Sequence, residues 1–142
     1  MSRREEGAAV PLIVGLFAIA LAFITVAAGA TSLHLDRLRL LSVADGAALA
    51  AAESFRVADV AVRGDEVIPT LTAGAVRAAA DAYVAEAGPT GVRQVAIVAA
   101  GTDDGRSATV VVRGTWRPPL VGAFLPDGVV VTVESTAAAR FR

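Results

Sequence analysis

Cysteine, lysine and asparagine are absent from these 142 residues, and histidine, tryptophan and tyrosine occur once each. Without cysteine the chain has neither a disulfide framework nor thiol chemistry. The single histidine, His34, is the only imidazole available to a catalytic triad or a histidine metal site. Every basic side chain is arginine, which we interpret as the mark of a GC-rich genome rather than of a mechanism.

Catalytic motifs are equally scarce. The sequence contains no G-x-S-x-G, P-loop or G-x-G-x-x-G run. Asp103-Asp104 lacks the spacing of an EF-hand loop and is explained by a turn. No pair of carboxylates has a spacing that favours a glycoside hydrolase. We therefore expect a protein that is not an enzyme, with no catalytic residues, no cofactor, no metal and no small-molecule substrate.

The balance of charge and apolar residues limits the class of protein further. From residue 36 onward the chain has eleven Arg and twelve Asp or Glu, and a nearly neutral region without a basic stripe argues against nucleic acid as a partner. The chain is 55% hydrophobic, which is too apolar for a disordered protein. Roughly 100 residues lie beyond the N-terminal apolar run, enough for one modest core.

One long apolar run lies near the N-terminus. Gly7–Leu35 contains no charged residue, and Pro11–Ala30 within it has the length of a helix that crosses a hydrocarbon layer of ~30 Å. This predicts a cytoplasmic tail at 1–10 and a single transmembrane helix at 11–35. Arginines are balanced on the two sides, and the terminal amine favours a cytoplasmic N-terminus with the remaining chain extracytoplasmic.

The helical pattern continues past the membrane. No proline occurs between Pro11 and Pro69, so one helix is predicted from about Pro11 to about Phe55, with 36–55 as its extracytoplasmic continuation. We expect the apolar face of this part to be covered by the domain or by another subunit. Its apolar positions are Leu38, Leu41, Ala48, Leu49, Ala52 and Phe55.

Asp45 falls on that predicted apolar face, between Leu41 and Leu49. It either reaches water from the edge of the face, or contacts an arginine or a backbone donor on a partner helix. A buried carboxylate without a partner is costly, so enclosure of Asp45 would require such a partner.

Small residues surround Asp45. Ala44, Ala48 and Ala52 form a small-xxx-small row that lets another helix or a sheet approach closely, although alanine is also simply the best helix former. Gly46 strengthens the first interpretation, because glycine weakens a helix unless close approach compensates. The candidate residues for helix packing and assembly are Ala44, Asp45, Gly46, Ala48, Leu49 and Ala52.

Residues 56–142 predict a small α+β domain. A turn at Arg63-Gly64-Asp65-Glu66 lies in a connector that leads to a second helix over Thr72–Ala87, which Gly88-Pro89 ends. Arg77 and Asp81 have the i,i+4 spacing of an ion pair. The predicted inner face of this helix comprises Val76, Ala80, Tyr83, Val84 and Ala87.

Three strands follow and predict an antiparallel sheet with one dry face. The first is Val92–Ala99, and an Asp-Gly turn at Thr102–Arg106 connects it to the second. The second strand points Val110, Val112 and Trp116 to one side, and the third does the same with Val129, Val131 and Val133. The two helices are the available covers for the dry face.

The connection between the second and third strands is unusually apolar. Leu120, Phe124 and Leu125 either close the open end of the core or form an exposed contact for a neighbouring subunit or the membrane surface.

The N-terminal region resembles the TadE/TadG-like proteins of bacterial tight-adherence (Tad, or Flp) pilus assembly systems. The resemblance lies in Glu6-Gly7-Ala8-Ala9-Val10, the apolar run, and the element Leu38–Ala52. In the family pattern, a transmembrane helix is followed by Arg-x-Leu-x-x-x-Ala-Asp-x-Ala-Ala-Leu-Ala. The corresponding kinds of position are occupied here by Arg37, Leu38, Ala44, Asp45, Ala47, Ala48, Leu49 and Ala50.

The resemblance implies a pilin-like plan, with a long N-terminal helix laid on an antiparallel sheet. It also implies partners among pilus-assembly or pilin subunits and a prepilin-type cleavage between Gly7 and Ala8. Processed pilins carry a Glu five residues after the cleaved Gly, whereas this chain has Leu12 there. An uncleaved accessory protein or a minor, pseudopilin-like subunit fits this departure better than a subunit of the filament shaft.

A signal-peptide interpretation of the apolar run remains open from the sequence. Ala28-Gly29-Ala30 has the A-x-A form of a signal-peptidase site, although the apolar core is long for a signal peptide and Glu5-Glu6 is unusual in a basic leader.

The sequence leaves two hypotheses for the function. The principal hypothesis is a non-enzymatic single-pass membrane protein that takes part in building, anchoring or capping a pilus. The second hypothesis is a membrane-anchored or secreted binding module unrelated to pili.

Overall fold

The computed structural model describes residues 6–54, 60–63, 66–87, 92–118, 122 and 126–138. Its elements in chain order are α1 (Glu6–Ala52), β1 (Val60–Arg63), β2 (Glu66–Pro69), α2 (Ala73–Glu86), β3 (Arg93–Gly101), β4 (Ser107–Trp116) and β5 (Val129–Ala138). The α+β fold class is confirmed: a long N-terminal helix, a second helix and a three-stranded antiparallel sheet, in a layout consistent with that of pilins.

Helix α1 is continuous for 47 residues, which corresponds to a rod of about 70 Å. It begins at Glu6, before the predicted start, and Pro11 lies inside it. Because proline has no N–H, this position leaves the carbonyl of Gly7 without its usual helical donor. At the other end the hydroxyl of Ser54 donates to the carbonyl of Ala51 at 2.7 Å; Phe55 is outside the described residues.

The N-terminal part of α1 is uncovered. By length and composition α1 is able to cross a membrane, and none of its most apolar stretch is buried by the rest of the chain. Large side chains here, such as Leu12, Phe17 and Phe23, are at least two-thirds exposed. A bilayer is the environment that removes such a surface from water at no cost in unsatisfied backbone groups.

Helix α2 follows the sequence prediction closely. Thr72 is its N-cap, and the Thr72 hydroxyl accepts from the backbone N–H of Ala75 at 3.3 Å. Val76 and Ala80 are buried and Val84 packs against the core, as expected. Tyr83 on the same face is 37% exposed, and Ala87 is exposed. The predicted ion pair forms, with 2.8 Å between Arg77 Nε and Asp81 Oδ2. Gly88 and Pro89 lie outside the described residues.

The main sheet has the strand order β3-β4-β5 and is antiparallel throughout. Strand β4 alternates as predicted: Val110, Val112 and Trp116 are buried, and Val112 is paired with Val133 on β5. On β5, Val133 is buried and Val131 half-buried, but Val129 at the strand's start is exposed.

Strand β3 is less regular than its sequence pattern suggested. It spans Arg93–Gly101 rather than Val92–Ala99, and its pairing with β4 shifts twice, between Arg93 and Ala96 and between Ile97 and Ala99. Gln94, in the first irregularity, has a φ of 53°. In the second, Val98 is turned outward, while Ile97 and Ala100 pack against the core. Such β-bulges break the simple alternation by which strands are read from sequence.

Strands β1 and β2 form a separate hairpin, in which Arg63 is paired with Glu66. The sequence prediction treated this segment as a connector with a turn, and that assignment is corrected here. Each strand has only four residues, too few to show a convincing alternation. Gly64 and Asp65, between the strands, lie outside the described residues.

The core lies between the two helices and the inner face of the sheet. Helix α1 packs on β4, β5 and α2, and α2 packs on β3. The largest fully buried side chains are Leu40, Val76, Val110 and Val112. The C-terminal half of α1 and the helix α2 therefore cover the dry face of the sheet, as expected.

Candidate functional site

The domain covers one face of the C-terminal half of α1, and that face is rich in alanine. Ala44, Ala48 and Ala52 are buried under the chain's own sheet and second helix, with Ala47 and Ala51 between them. Small side chains let the helix axis approach the sheet closely, which the row of alanines permits. These positions are filled within the chain, so any surface that meets a partner lies elsewhere on α1.

Gly46 lies beside Tyr83 of α2. A Cβ atom at Gly46 would overlap the Tyr83 ring and its hydroxyl oxygen. The glycine thus lets the tyrosine side chain lie directly across α1. This close approach is the compensation that the sequence argument required for a glycine inside a helix.

Asp45 does not lie on the packed face. Its side chain is exposed, as are Leu38 and Leu49, which the helical wheel had placed on the face to be covered. The predicted face is therefore only partly right. Ala48 and Ala52 are buried and Leu41 packs against the core, as expected. The buried stripe is nevertheless centred on Leu40 and the alanines at 44, 47 and 51, away from Leu38 and Leu49. The reason is that this part of α1 has leucines on two sides, and the wheel gave them more weight than it gave alanine.

The side of α1 that faces away from the sheet presents a regular exposed pattern. Residues recur at spacings of three and four along it, the repeat of helix-packing seams. We define the outer seam as Leu35, Leu38, Ser42, Asp45 and Leu49. All five are exposed, with Leu38 at 48% and Leu49 at 54%. Within the part of the chain that the structure describes, Asp45 forms no ion pair.

The middle of α1, at Ser32, is hydrogen-bonded to the end of β4. The indole N–H of Trp116 donates to the hydroxyl of Ser32 at 3.2 Å. Since Ser32 comes two residues after the apolar run Pro11–Ala30, this end of the sheet lies where a membrane surface would be. Tryptophan is enriched at that level of membrane proteins. The sequence did not predict that Trp116 and Ser32 interact. A lone tryptophan at the end of a predicted strand is the sequence signal that could have indicated such a contact.

A groove opens between α1 and β5 at the same end. It has a volume of about 480 Å³. We call it the membrane-end groove; its lining comprises Ala30, Leu33, His34 and Arg37 from α1, and Val129 to Thr132 from β5. The groove holds the only histidine of the chain beside an arginine and a mostly apolar wall.

A second, more polar cleft lies at this end of the sheet. It has a volume of about 620 Å³ and is lined by Arg93, Gln94, Thr115, Arg117 and Asp127. The hydroxyl of Thr115 lies 3.1 Å from the Gln94 side-chain oxygen and donates to it. Two arginines with one carboxylate can bind an anion, but the cleft offers no nucleophile–base pair.

Asp104, the second carboxylate of the acidic pair in the β3–β4 turn, is hydrogen-bonded within the turn itself. The Asp104 carboxylate accepts from the backbone N–H groups of Arg106 and Ser107, at 2.8 and 2.7 Å, and from the Ser107 hydroxyl at 2.9 Å. These bonds, led by those from the Ser107 and Arg106 backbones, lower the pKa of Asp104 to about 2. Gly105 has a φ of 68°, as expected of an Asp-Gly turn. Over the described ranges, no three His, Cys, Asp or Glu side chains group as metal ligands would.

Gly7 and Ala8, the processing candidates, lie in the first turns of α1. Leu120, Phe124 and Leu125 of the possible contact loop lie outside the described residues, so both interpretations of that loop stay predictions.

Comparison of the chain with family models, with curated proteins and with solved structures finds no match.

Proposed function

We propose that this chain is a non-enzymatic, single-pass membrane component of a tight-adherence (Flp, type IV-like) pilus assembly system. It acts as a minor, pseudopilin-like subunit or as an accessory anchor. Its N-terminus is cytoplasmic and its domain extracytoplasmic. The resemblance of Glu6–Ala52 to the TadE/TadG-like proteins supports this proposal, together with the single helix that joins a possible membrane anchor to the domain core.

The observation that carries the proposal is the uncovered side of α1. The domain packs on one face of the helix, and the outer seam on the other side stays exposed. A partner helix that packs along Leu35, Leu38 and Leu49 would remove the exposed half of each leucine from water. Each would then contribute about half of the ~1.5–3 kcal/mol that full burial of a leucine is worth. The assembly function is therefore assigned to the outer seam.

Asp45 would set the register of that contact. A carboxylate between Leu38 and Leu49 becomes enclosed when a helix docks, and an enclosed carboxylate needs an arginine or backbone donor opposite it. A partner helix with such a donor opposite Asp45 would bind along the outer seam, and a helix without one would bind less well. This is the partner-helix alternative of the sequence argument, with the burial supplied by the partner rather than by the chain itself.

The absence of native cysteine permits a direct test. We expect Leu49→Cys to form a cross-link in intact membranes, through a thiol-to-amine reagent, to a pilin or to a pilus platform protein produced with it. Val98→Cys is the matched control, since Val98 is 51% exposed against 54% for Leu49 but lies on β3. Equal cross-linking at the two positions, or none at Leu49, would contradict the proposal.

The mass of the mature chain tests the anchor separately. We expect an intact chain that begins at Met1, because Leu12 stands where processed pilins carry Glu. A chain that begins at Ala8 would indicate a pilin-type subunit, and one that begins at Thr31 an exported soluble protein. The last result would overturn the anchor.

A binding module unrelated to pili is the second candidate, and the cleft around Arg93 and Arg117 favours it. Under the pilus proposal, the double variant Arg93→Gln with Arg117→Gln should leave pilus formation unchanged. Under the alternative, the chain would purify without pilus proteins, and this variant would abolish its function.

A further inference from the structure

We propose that the membrane-end groove seats one anionic phospholipid, with Arg37 contacting the lipid phosphate and the apolar wall of the groove holding the upper part of an acyl chain. This inference rests on the membrane anchoring in the proposed function and adds a specific lipid site to it. It depends on neither the orientation of the chain nor its partners.

The groove lies at the level of α1 where the surface of the membrane would be. Pro11–Ala30 spans about 30 Å as a helix, the thickness of the hydrocarbon layer. The groove begins at Ala30, where that layer ends, and reaches Arg37 about 10 Å higher. A guanidinium on a long side chain can reach down from there to the phosphate level. The hydrogen bond from Trp116 to Ser32 holds the sheet at this same level.

The polarity of the groove changes in the direction that a lipid requires. Ala30 and Leu33, at the hydrocarbon side, are apolar, whereas His34 and Arg37 contribute polar groups further from it. Across from them on the edge strand β5 is Val129, which points to the same side as Val131 and Val133 and is 39% exposed. A large apolar side chain exposed at this level is covered by an acyl chain without any change in the protein. An inorganic phosphate ion would leave the same apolar wall in water.

The charges around the groove select an anionic headgroup. Asp36, the carboxylate next to Arg37 in sequence, is paired with Arg39, with 2.9 Å between Arg39 Nη1 and Asp36 Oδ1. Arg37 is exposed and has no acidic partner among the residues that the structure describes. A positive charge near an anionic membrane surface favours anionic over zwitterionic lipids.

The test uses the full chain in nanodiscs that contain equal amounts of phosphatidylcholine and phosphatidylglycerol. Native mass spectrometry counts the lipids that stay bound when the protein is released. We expect retained phosphatidylglycerol to exceed phosphatidylcholine, and Arg37→Gln to reduce this preference about five-fold, the effect of one arginine near an anionic surface. Arg106→Gln is the matched control, because it removes the same charge from the β3–β4 turn, at the opposite end of β4 from Trp116.

A second variant tests the apolar wall. We expect Val129→Glu to reduce retained phosphatidylglycerol, because a carboxylate in the wall of the groove repels the lipid phosphate and does not pack against an acyl chain. The lipid site is overturned if the wild-type chain retains both lipids equally, or if Arg37→Gln and Arg106→Gln behave alike.

The anchor itself is checked in the same preparation. Trp116 is the only tryptophan, so its fluorescence should be quenched by lipids brominated near the headgroup. Quenching without a lipid preference would leave the anchor standing and remove only the lipid site. A chain that neither enters the nanodiscs nor shows quenching would remove both.

Discussion

Trp116 and Ser32 are 84 positions apart in the sequence, yet a hydrogen bond of 3.2 Å joins the indole nitrogen to the serine hydroxyl. Trp116 is the last residue of β4, and Ser32 lies just beyond the apolar run of α1. The bond connects the end of the sheet to the helix at the level of the proposed membrane surface. It adds a polar contact to the packing of α1 on β4 and β5.

Removal of this bond should cost stability. We expect Ser32→Ala to lower the free energy of unfolding by about 0.5–1.5 kcal/mol, because the mostly buried indole N–H loses its acceptor. Urea unfolding of the full chain in detergent, followed by the fluorescence of Trp116, measures this. Ser42→Ala is the matched control: Ser42 is exposed on the same helix, and its loss should change little. Equal effects of the two variants would argue against the bond.

The contact between Gly46 and Tyr83 predicts that Gly46→Ala destabilises the wild-type chain but stabilises a chain that lacks the Tyr83 ring. Gly46→Ala should destabilise the wild-type chain by about 1–3 kcal/mol, since the new methyl group must displace the Tyr83 ring. In a Tyr83→Ala background the same change should stabilise by up to about 1 kcal/mol, because alanine favours the helix over glycine. Thermal unfolding of the four proteins forms a double-mutant cycle.

Gly74→Ala is the control for that cycle. No atom outside its immediate chain neighbours lies within 4 Å of a Cβ built at Gly74, so helix propensity alone should decide its effect. A stabilising Gly46→Ala in the wild-type chain would show that Tyr83 does not lie across the helix.

The Asp104 turn predicts a specific loss of stability in acid. The pKa of Asp104 is about 2 in the folded chain, against 3.8 for an ordinary aspartate. Because the folded value is the lower one, the ionised carboxylate stabilises the fold above about pH 4, and this contribution is lost as the pH falls from about 4 to about 2. Asp104→Ala should therefore flatten that part of the stability–pH curve. Asp103→Ala is the control, because it removes a neighbouring carboxylate and leaves the Asp104 hydrogen bonds in place. Identical stability–pH curves for the two variants would contradict the role of Asp104 in the turn.

The exposure of Asp45 separates its effect on folding from its effect on assembly. We expect Asp45→Ala to change the free energy of unfolding by less than about 0.5 kcal/mol, as exposed substitutions usually do. Under the proposed function, the same variant should reduce pilus assembly, measured by electron microscopy of surface filaments. Glu86→Ala, an exposed carboxylate at the end of α2, should affect neither. Normal pili with Asp45→Ala would remove the proposed role of this residue.

Several parts of the structure follow directly from the sequence. Helix α1 is continuous because no proline interrupts the chain between Pro11 and Pro69. Thr72 predicts where α2 begins, since a hydroxyl at the N-cap satisfies a helical N–H that otherwise lacks a partner. The alternation of β4 predicts its buried face, because successive side chains of a strand point to opposite sides. These are local properties, and local sequence is sufficient for them.

The orientation of α1 and the position of the candidate site depended on the tertiary structure. Around Asp45 the helix has leucines on two sides, so its own periodicity does not select the side that packs; the sheet selects it, because the alanines at 44, 47, 48 and 51 allow the closest approach. The same holds for the membrane-end groove, which requires β5 to lie beside residues about 100 positions earlier. The sequence alone determined the two helices and the three strands of the main sheet, through contacts within a few residues, but not the short β1–β2 hairpin. Only packing between distant segments decided which surfaces stay open to a partner or a lipid.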